Sequence, residues 1–429
     1  MTAPSDTIFL GIDVGTSGLR VAALDGAGDG LWLERADWPA PAIDDGHEQD
    51  PRHWWTAFDA LMQRLGGEGR LGHVGGLAFA GTSGTVLTVD ARGDAEGPAL
   101  MYDDPRGAAQ LQALGRIGLD PDAQVAALAR WRFLAEECGQ TGRPVSQADW
   151  FTLRLAGRHV SDSNNALKWG FDAVAERWPS ALAERFGDRL PEVRRPGTTI
   201  GTVDAALAER WGMPGTARVT TGTTDSMAAL WASGASAEGD GVTSLGSTLA
   251  LKLISEHPVA DAASGVYSHR FGDRFAVSGA SNTGGRVLAS FFGADELAAM
   301  SEGIDPDRPD TLGYWPLAGR GERFPLVAPG MSPRLTPRPD DPVAFLGGLL
   351  RGIARIEAQG YRRFAELGGT TVRRVLSSGG GAHNPVFTRI RERALGVPVH
   401  KPQHTEAAMG AARLAAMGTR QAREKGENR

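Results

Sequence analysis

One local pattern occurs twice in this chain, once in each half. Near the N-terminus, Ile8–Val14 and Leu19–Leu24 are apolar segments typical of strands, and a short turn of Gly, Thr and Ser joins them. The segment GVTSLGSTLALKLI, which begins at Gly241, repeats this order of strand, turn and strand. The repetition predicts an internally duplicated protein with one such hairpin in each half.

Helices and strands alternate along the rest of the chain. DPRHWWTAFDALMQRL has Asp50 as a helix cap, Pro51 at the first helical position and apolar residues at helical spacing. The segment HVGGLAFAG that follows predicts a buried strand. This alternation indicates an α/β fold, and 429 residues are enough for two domains at roughly 100–200 residues per domain.

Charge and cysteine content argue against several classes of function. Lys and Arg number 45 and Asp and Glu 51, a net charge of −6 without a basic segment, which argues against nucleic acid as a partner. The N-terminal apolar stretch is short and interrupted by Asp13, so we predict neither a signal peptide nor a membrane span. The single Cys138 excludes an internal disulfide and a Cys-based metal site; we predict a buried structural thiol and a reducing, cytoplasmic location.

The turn of the first hairpin, DVGTSG, is the first candidate for chemistry. Its glycines expose successive backbone N–H groups, and Thr16 and Ser17 add hydroxyl donors, so the turn is suited to hold a phosphate. Asp13 at the strand end is suited to hold a hydrated Mg²⁺. The alternative is an ordinary hairpin with left-handed glycines. The similar turn at Ser244–Thr248 favours the phosphate interpretation.

Two strand-to-helix junctions carry further candidates. In TTGTTDS, the Asp225 carboxylate is placed to accept the proton of a substrate hydroxyl during phosphoryl transfer; a plain helix N-cap is the alternative. In SSGGGAHN, the glycines let a ligand approach the backbone, and Asn384 either caps the next helix or contacts a purine. Neither a G-x-G-x-x-G fingerprint nor a Walker P-loop occurs in the chain.

Two polar clusters allow more than one interpretation. YDDPR at 102–106 brings two carboxylates and an Arg together, which is suited either to sugar hydroxyls or to a solvated turn. GTSGT at 81–85 is close to the nucleophile elbow of serine hydrolases, with Ser83 as the nucleophile. That motif ends in Thr rather than Gly, and no paired His is evident, which argues against the hydrolase interpretation.

Taken in order, these motifs resemble those of the FGGY family of carbohydrate kinases over nearly the whole chain. GIDVGTSGLR is similar to that family's first phosphate motif, EQDPRHWW to its early helix signature, TTGTTDSMAAL to its catalytic-Asp segment, SLGST to its second phosphate motif and SSGGGAHNPVF to its adenosine motif. The resemblance implies a kinase that uses ATP and Mg²⁺, with Asp225 as the catalytic base and Asp13 near the metal and the substrate. The nucleotide-binding residues that it implies are Gly15, Thr16, Ser17, Arg20, Gly246, Ser247, Thr248, Gly284, Gly379, Gly380, Gly381 and Asn384.

The resemblance also implies the fold. We expect an α/β protein with two actin-like (ribonuclease H-like) domains flanking a central cleft. The N-terminal domain, residues 1–230, would bind the sugar and carry the catalytic Asp, and residues 231–405 would form the nucleotide-binding domain. We expect the C-terminal helix, 406–429, to pack back on the first domain, and the protein to be a monomer or a homodimer.

Three segments are similar to the D-ribulose kinase branch of the family, whose members are also described as xylulose-kinase-like. They are GTSGT at 81–85, the YDDPR cluster and SDSNNALKWGFDA at 161–173. Thr82-Ser83 stands where bacterial xylulokinases carry Met-His and glycerol kinases Arg-Glu. The resemblance thus implies conversion of D-ribulose to D-ribulose 5-phosphate. Its alternatives are D-xylulose or another sugar or polyol, a hydrolase built on Ser83, and a non-catalytic sugar or nucleotide sensor. The implied sugar-binding residues are Asp13, Ser83, Asp104 and Asp225.

Overall fold

The computed structural model describes residues 6–38, 47–116 and 125–427. They form two compact units: unit 1 lies within residues 1–232 and 406–429, and unit 2 comprises residues 233–405. The strands are β1 (Ile8–Val14), β2 (Gly18–Leu24), β3 (Gly30–Asp37), β4 (Glu48–Gln49), β5 (Val74–Gly81), β6 (Val86–Val89), β7 (Ala99–Leu100), β8 (Arg143–Ser146), β9 (Val160–Asp162), β10 (Glu192–Arg194), β11 (Thr199–Thr202), β12 (Arg218–Thr220), β13 (Thr223–Thr224), β14 (Asp240–Leu245), β15 (Leu249–Ser255), β16 (Tyr267–Phe271), β17 (Arg274–Ser281), β18 (Arg374–Ser378) and β19 (Val399–His400). The helices are α1 (Pro51–Gly67), α2 (Ala108–Gly115), α3 (Ala126–Glu137), α4 (Gln147–Ala156), α5 (Ser163–Leu167), α6 (Ser180–Phe186), α7 (Ala205–Arg210), α8 (Asp225–Ser233), α9 (Gly285–Ala289), α10 (Ala294–Glu302), α11 (Pro342–Glu366), α12 (Pro385–Leu395) and α13 (Ala407–Glu427).

Unit 1 is built on a mixed sheet with the strand order β11-β12-β5-β1-β2-β3, and the short β13 also pairs with β5. β1 and β2 form the first predicted hairpin, and β1 runs parallel to β5 on its other side. Phe58 of α1 and Phe151 of α4 pack against Phe79 of β5, with ring centroids 5.4 and 5.0 Å from it. α13 packs against β1 at Gly11, where a Cβ would lie 1.9 Å from the Ala408 carbonyl oxygen. Only a glycine permits this approach.

Unit 2 is built on a second sheet with the order β16-β17-β15-β14-β18-β19. β14 and β15 form the second predicted hairpin, and β14 runs parallel to β18. The long helix α11 begins as its sequence suggests, because Asp341 accepts from the Val343 N–H and Pro342 occupies the first helical turn. Its buried face, which includes Phe345 and Ile353, belongs to the core of this unit.

The two sheets share one topology. In each, the first strand of the hairpin pairs in parallel with a later strand, and the second strand pairs antiparallel with a third. The predicted α/β class and the duplicated hairpin are therefore confirmed. The carboxyl ends of parallel strands meet at one edge of a sheet. In unit 1, the turn after β1 therefore lies at the same edge as the end of β5, and in unit 2 the turn after β14 lies at the same edge as the end of β18.

A smaller sheet in unit 1, with the order β4-β7-β6-β8, leads into the YDDPR segment. Helices α2 and α3 pack against it through residues such as Leu114 and Trp131. Cys138, predicted to be buried, is instead exposed, because it is the C-cap residue at which α3 ends. In the described part of the chain, every helix is too short or too polar to cross a membrane.

Candidate active site and glycine-rich turns

Asp13 lies near the carboxyl end of β1 and is only 8% exposed. Arg20, opposite it on β2, places Nη1 3.5 Å from Asp13 Oδ2, and Arg20 Nε lies 3.3 Å from Oε2 of Glu406. Burial raises the pKa of Asp13 to about 6; the negative charges of Asp225 and Glu406 add to the rise, and Arg20 opposes it. At neutral pH the charged Asp13 carboxylate is therefore destabilised unless a further cation lies beside it.

Asp225 is the first residue of α8 and directly follows β13. Val14 of β1 and Thr224 of β13 are both register partners of Gly81 in β5, so Asp13 and Asp225 lie on either side of the end of that strand. The half-buried Asp225 accepts a hydrogen bond at Oδ1 from the Ser226 N–H at 2.7 Å. The structure thus brings the two predicted catalytic carboxylates together at one sheet edge, close enough for Asp225 to raise the pKa of Asp13.

The turn between β1 and β2 is held from one side and open on the other. The Thr16 carbonyl oxygen accepts from Trp38 Nε1 at 3.0 Å and from Gln49 Nε2 at 2.7 Å, which fixes the turn. The side chains of Thr16 and Ser17 are exposed, and their backbone N–H groups have no acceptor among the residues that the structure describes. Gly15 donates its N–H to the Gly18 carbonyl across the turn at 2.9 Å. This leaves open donors of the kind that an anion accepts.

Ser83 follows β5 at the same sheet edge. Its Oγ is buried and has no hydrogen-bond partner within the described ranges. The neighbouring Thr82 is fixed, because its N–H and its hydroxyl both donate to Gln147 Oε1, at 2.9 and 2.8 Å. A serine nucleophile requires a base within hydrogen-bond distance, so this environment argues against the hydrolase alternative. A buried hydroxyl without a partner in the described ranges, just after the strand whose end lies between Asp13 and Asp225, fits a site that a ligand completes.

Asp104, expected to contact the sugar, directs its carboxylate at Arg106. Arg106 Nε lies 3.0 Å from both carboxylate oxygens and Nη2 lies 2.5 Å from Oδ2, and the Asp104 side chain is fully buried. Arg106 Nη2 also lies 2.7 Å from Glu48 Oε2. Asp104 therefore orients Arg106, and its contact with a sugar stays a prediction. Arg130, which sequence reasoning missed, donates to the carbonyls of Asp104 and Gly84 and so joins this cluster to the segment of Ser83.

In unit 2, the turn between β14 and β15 is held by the segment that begins α9. The Gly246 carbonyl accepts from the Gly285 N–H at 2.8 Å, and the Ser247 carbonyl accepts from the Arg286 N–H at 3.1 Å. Gly284 has φ +138°, and a Cβ there would lie 2.8 Å from Thr248 Cα, so no other residue fits. Four predicted nucleotide-binding residues are thus neighbours: Gly246, Ser247, Thr248 and Gly284.

The glycine-rich turn after β18 packs on the same hairpin. Gly379 has φ +87°, and a Cβ there would lie 2.5 Å from the Leu245 carbonyl oxygen; a Cβ at Gly381 would lie 3.1 Å from Leu245 Cβ. Gly380 begins the short 3₁₀ turn that follows. Asn384 caps α12, because its Oδ1 accepts from the Phe387 N–H at 3.0 Å, and its Nδ2 donates to Ser301 Oγ at 2.7 Å. The helix cap, one of the two roles predicted for Asn384, is present; the purine contact stays a prediction.

A buried charged network lies beneath both turns of unit 2. Arg391 of α12 donates from Nε and Nη2 to Glu357 of α11 at 2.6 and 2.7 Å, and both side chains are fully buried. Glu357 also accepts from the Thr243 hydroxyl at 2.6 Å, and Arg391 Nη1 donates to Ser377 Oγ at 2.7 Å. Thr243 lies in β14 and Ser377 in β18, so the network joins the strands that lead into the two turns. Sequence reasoning missed it, since no local pattern links residues so far apart in the chain.

The chemistry of the donor set tests whether Mg²⁺ fits. In the parts of the chain that the structure describes, no group of three or more His, Cys, Asp or Glu is arranged to hold a metal. Mg²⁺ in phosphoryl-transfer sites is commonly held by one or two carboxylates, with phosphates and waters as the other ligands. Asp13 and Asp225 fit that donor set, and after burial the negative charge of Asp225 is the next cause that raises the pKa of Asp13.

Two actin-like units, paired carboxylates at one hairpin and glycine-rich turns around the other define the class of fold and site. The model for the FGGY family of carbohydrate kinases, C-terminal domain, matches residues 201–419, more than half of the chain, and the model for its N-terminal domain matches residues 8–127. The chain belongs to the FGGY family of carbohydrate kinases. The C-terminal model begins inside unit 1 and so includes Asp225.

Individual relatives are more distant. The xylulose kinase of Klebsiella pneumoniae is 28% identical over 283 residues, which cover 61% of this chain and 57% of that protein, so the chain spans just over half the length of this relative. The autoinducer-2 kinase of Yersinia pestis (strain Pestoides F) is 24% identical over 477 residues, 97% of this chain and 87% of that protein. A crystal structure of a xyloylose kinase from Brucella ovis has a TM-score of 0.84 at 22% identity and covers 96% of this chain and 91% of that one, a likeness of fold.

Proposed function

We propose that this protein is an ATP-dependent carbohydrate kinase that transfers the γ-phosphoryl group of ATP to a hydroxyl of a ketopentose. The observation that carries the proposal is the pair of carboxylates, Asp13 and Asp225, on either side of the end of β5. Phosphoryl transfer needs a group that accepts the proton of the attacking hydroxyl and a place for a divalent cation. This pair supplies a carboxylate for each task, and membership of a carbohydrate kinase family supports the assignment.

Asp225 is the proposed base. The hydrogen bond from the Ser226 N–H to Oδ1 fixes the orientation of the carboxylate at the start of α8, so that a substrate hydroxyl at this sheet edge donates its proton to Asp225 as the phosphoryl group arrives. The open N–H groups of Thr16 and Ser17, with the guanidinium of Arg20, place positive charge where negative charge develops on the phosphoryl oxygens. No covalent intermediate with the protein is required.

Asp13 is the proposed metal-holding carboxylate. When bound, Mg²⁺ neutralises phosphate charge during the transfer. Asp13 would hold it through water, and the ion pair of Arg20 with Glu406 keeps Arg20 beside Asp13. Because the charges of Asp225 and Glu406 destabilise the charged Asp13, a cation bound here relieves repulsion that the apoprotein carries.

We assign nucleotide binding in unit 2 to its three neighbouring turns. The turn Gly246–Thr248 offers backbone N–H groups and two hydroxyls to phosphates, and Gly284 allows the next segment to lie against it. Gly380, Gly381 and Asn384 lie where α12 begins, and a helix N-terminus favours an anionic or polar ligand.

D-Ribulose is the substrate that we propose. A pocket that separates sugar isomers must hydrogen-bond particular hydroxyls, since a difference of shape alone is worth only about 1–3 kcal/mol. The small Ser83 hydroxyl has no partner in the described ranges and follows the strand whose end lies between Asp13 and Asp225, so it is suited to that task. Arg106, held by Asp104, is a further donor in the cluster that Arg130 joins to the segment of Ser83. The name of the Klebsiella pneumoniae relative favours D-xylulose as the alternative.

The test is a coupled ADP-release assay with D-ribulose, D-xylulose, a ketohexose, glycerol and a pentitol. We expect the highest kcat/KM with D-ribulose and almost no turnover of glycerol. A tenfold preference for D-xylulose or glycerol would refute the substrate and leave the kinase standing. Binding of ATP and sugar without any turnover would instead favour the sensor.

Replacing Ser83 with Ala tests the sugar contact separately. We expect the KM for D-ribulose to rise while the slow ATP hydrolysis without sugar persists, because Ser83 serves only the acceptor. The matched control is Ser180→Ala, on the exposed start of α6 in the same unit, which should leave both rates unchanged. An unchanged KM in Ser83→Ala would remove Ser83 from the sugar site.

A further inference from the structure

Unit 2 contains an arginine-lined cavity that the proposed reaction does not use. It has a volume of about 240 Å³ and lies between α11, the second half of α12 and the segment after α10. Five arginines contribute to its lining, and Asp310 is the only carboxylate among the lining residues. The arginines are Arg308, Arg351, Arg355, Arg362 and Arg393.

The three arginines of α11 share one face of the helix. Arg355 is four residues after Arg351, and Arg362 is eleven residues after it, which is close to three full turns. Like charges four residues apart, such as Arg351 and Arg355, repel one another along a helix face and weaken the helix. The charge of Arg308 adds to this, because burial and then the neighbouring Arg308 lower the pKa of Arg351.

The protein itself neutralises little of this charge. Arg351 donates from Nε and Nη2 to the carbonyl oxygens of Arg308 and Asp305, at 2.9 and 2.6 Å, and these acceptors carry no charge. Arg355 donates to the Tyr314 carbonyl; its Nη1 lies 3.6 Å from Asp310 Oδ2. Its Nε is buried and has no acceptor in the described part of the chain.

Of the remaining lining arginines, one forms an ion pair with a carboxylate in the described part of the chain and two do not. Arg393 has a carboxylate partner, since its Nη1 lies 2.8 Å from Asp307 Oδ1. The exposed guanidinium groups of Arg308 and Arg362 form no ion pair with any residue that the structure describes. The lining therefore combines an excess of positive charge with a buried donor that lacks an acceptor.

We propose that this cavity binds a small phosphate ester or another small phosphate-containing anion that carries more than one negative charge. Guanidinium groups present planar pairs of N–H donors that match the oxygens of a phosphate. Arginines from two helices and a loop can therefore bind such a group from several sides. The volume is below the roughly 300–1,000 Å³ of pockets for drug-sized ligands, which selects a small anion.

The cavity is distinct from the nucleotide turns that we assign in the same unit. Its lining residues on α12, Ile390 to Ala394, follow Asn384 by six to ten residues, a distance of about 9–15 Å along the helix. The proposal therefore does not depend on the kinase assignment. Occupancy of the cavity should persist when ADP fills the nucleotide site.

The test is isothermal titration calorimetry of the 429-residue chain with pyrophosphate and, separately, with glycerol 3-phosphate, at constant ionic strength and with saturating ADP. Glycerol is the neutral control. We expect binding of both phosphates and none of glycerol. The double variant Arg308→Ala/Arg362→Ala should lose at least tenfold in affinity, and because both side chains are exposed and unpaired it should fold as the wild type does.

Arg389→Ala is the matched control. Arg389 lies on α12 and pairs with Asp307 at 3.3 Å, but it does not line the cavity, so its loss should leave the affinity unchanged. Absence of phosphate binding to the wild type at millimolar concentration overturns the proposal. Equal losses in the double variant and in Arg389→Ala also overturn it, because they would indicate general attraction by surface charge. A circular dichroism spectrum checks the fold of each variant.

Discussion

The two hairpins of this protein have the same topology and opposite electrostatics. In unit 1, the buried carboxylate of Asp13 lies at the sheet edge itself, beside Asp225, and its pKa is raised to about 6. In unit 2, the charged side chains lie beneath the edge. Arg391 and Glu357 form an ion pair there, and both side chains are fully buried. The turn of unit 2 presents only backbone groups and hydroxyls.

The difference indicates how a duplicated fold has been divided between two tasks. Charge that the protein leaves partly uncompensated at an edge is available to a cation and to a proton, which are the requirements of chemistry. Charges that are paired beneath the sheet hold the strands in place and need no ligand to compensate them. Under the proposed function, unit 1 would carry out the transfer and unit 2 would hold the nucleotide. The three predictions below test this division.

The largest expected effect belongs to Asp225. Replacing Asp225 with Asn keeps the shape and the acceptor for the Ser226 N–H but removes the proton acceptor, so we expect turnover to fall by about 10²–10⁴-fold. Binding of ATP and sugar should remain. The measurement is kcat in the coupled assay together with equilibrium binding of ADP.

Asp204→Asn is the matched control for Asp225→Asn. Asp204 also stands at the start of a helix, α7, where it accepts from the N–H groups of Ala206 and Leu207, and Asn caps a helix equally well. We expect no change in kcat for this variant. Near wild-type turnover in Asp225→Asn would remove Asp225 from the mechanism and with it the chemical role of unit 1.

The next effect concerns the buried pair of unit 2. Replacing Arg391 with Met leaves Glu357 buried without its partner, which typically costs about 3–5 kcal/mol of folding free energy. We also expect weaker ADP binding, because Thr243 and Ser377 lose the network that holds the strands before both turns. Urea unfolding followed by circular dichroism, and titration with a fluorescent ADP analogue, measure the two effects.

The double variant Arg391→Met/Glu357→Leu separates stability from positioning. It removes both charges, and apolar replacements of a buried ion pair often restore stability. If the network positions the turns, the double variant regains stability but not ADP affinity. Recovery of both would show that the pair contributes to stability alone, and an Arg391→Met protein as stable as the wild type would contradict our account of unit 2.

How much the sequence predicts depends on how local the signal is. Both hairpins follow from apolar segments that flank short runs of Gly, Ser and Thr, and α1 and α11 begin at an Asp-Pro pair that the sequence displays. The family resemblance implies that Asp13 and Asp225 serve one site. Its geometry depends on β1 and β13 both pairing with β5, which no local pattern shows.

Side-chain partners are where the sequence was least informative. The YDDPR segment contains both Asp104 and Arg106, yet nothing in it shows that the carboxylate of the first accepts from the guanidinium of the second. Arg130 bonds carbonyls 26 and 46 residues away, and Glu357 and Thr243 are 114 residues apart. Such contacts are decided by the packing of whole elements, so they become visible only in the folded protein.

The smallest effect is on stability and has the opposite sign from that of Arg391→Met. The pKa of Asp13 is about 6 in the folded protein against an ordinary value of 3.8, so the folded state disfavours the charged form above pH 6. By linkage this costs up to about 3 kcal/mol, a cost that disappears as the pH falls from about 6 to below about 4. Asp13→Asn, without Mg²⁺, should therefore be more stable than the wild type at pH 7.5 and no more stable at pH 4.

Urea unfolding followed by tryptophan fluorescence reports on unit 1, which holds every tryptophan except Trp315. Asp25→Asn, in the turn after β2 where backbone hydrogen bonds from Asp29, Gly28 and Ala27 lower the pKa of the carboxyl, should show no gain. If Asp13→Asn is less stable than the wild type at pH 7.5, the ion pair with Arg20 stabilises the charged Asp13 by more than burial destabilises it. The proposed electrostatic contrast between the two hairpins would then be wrong.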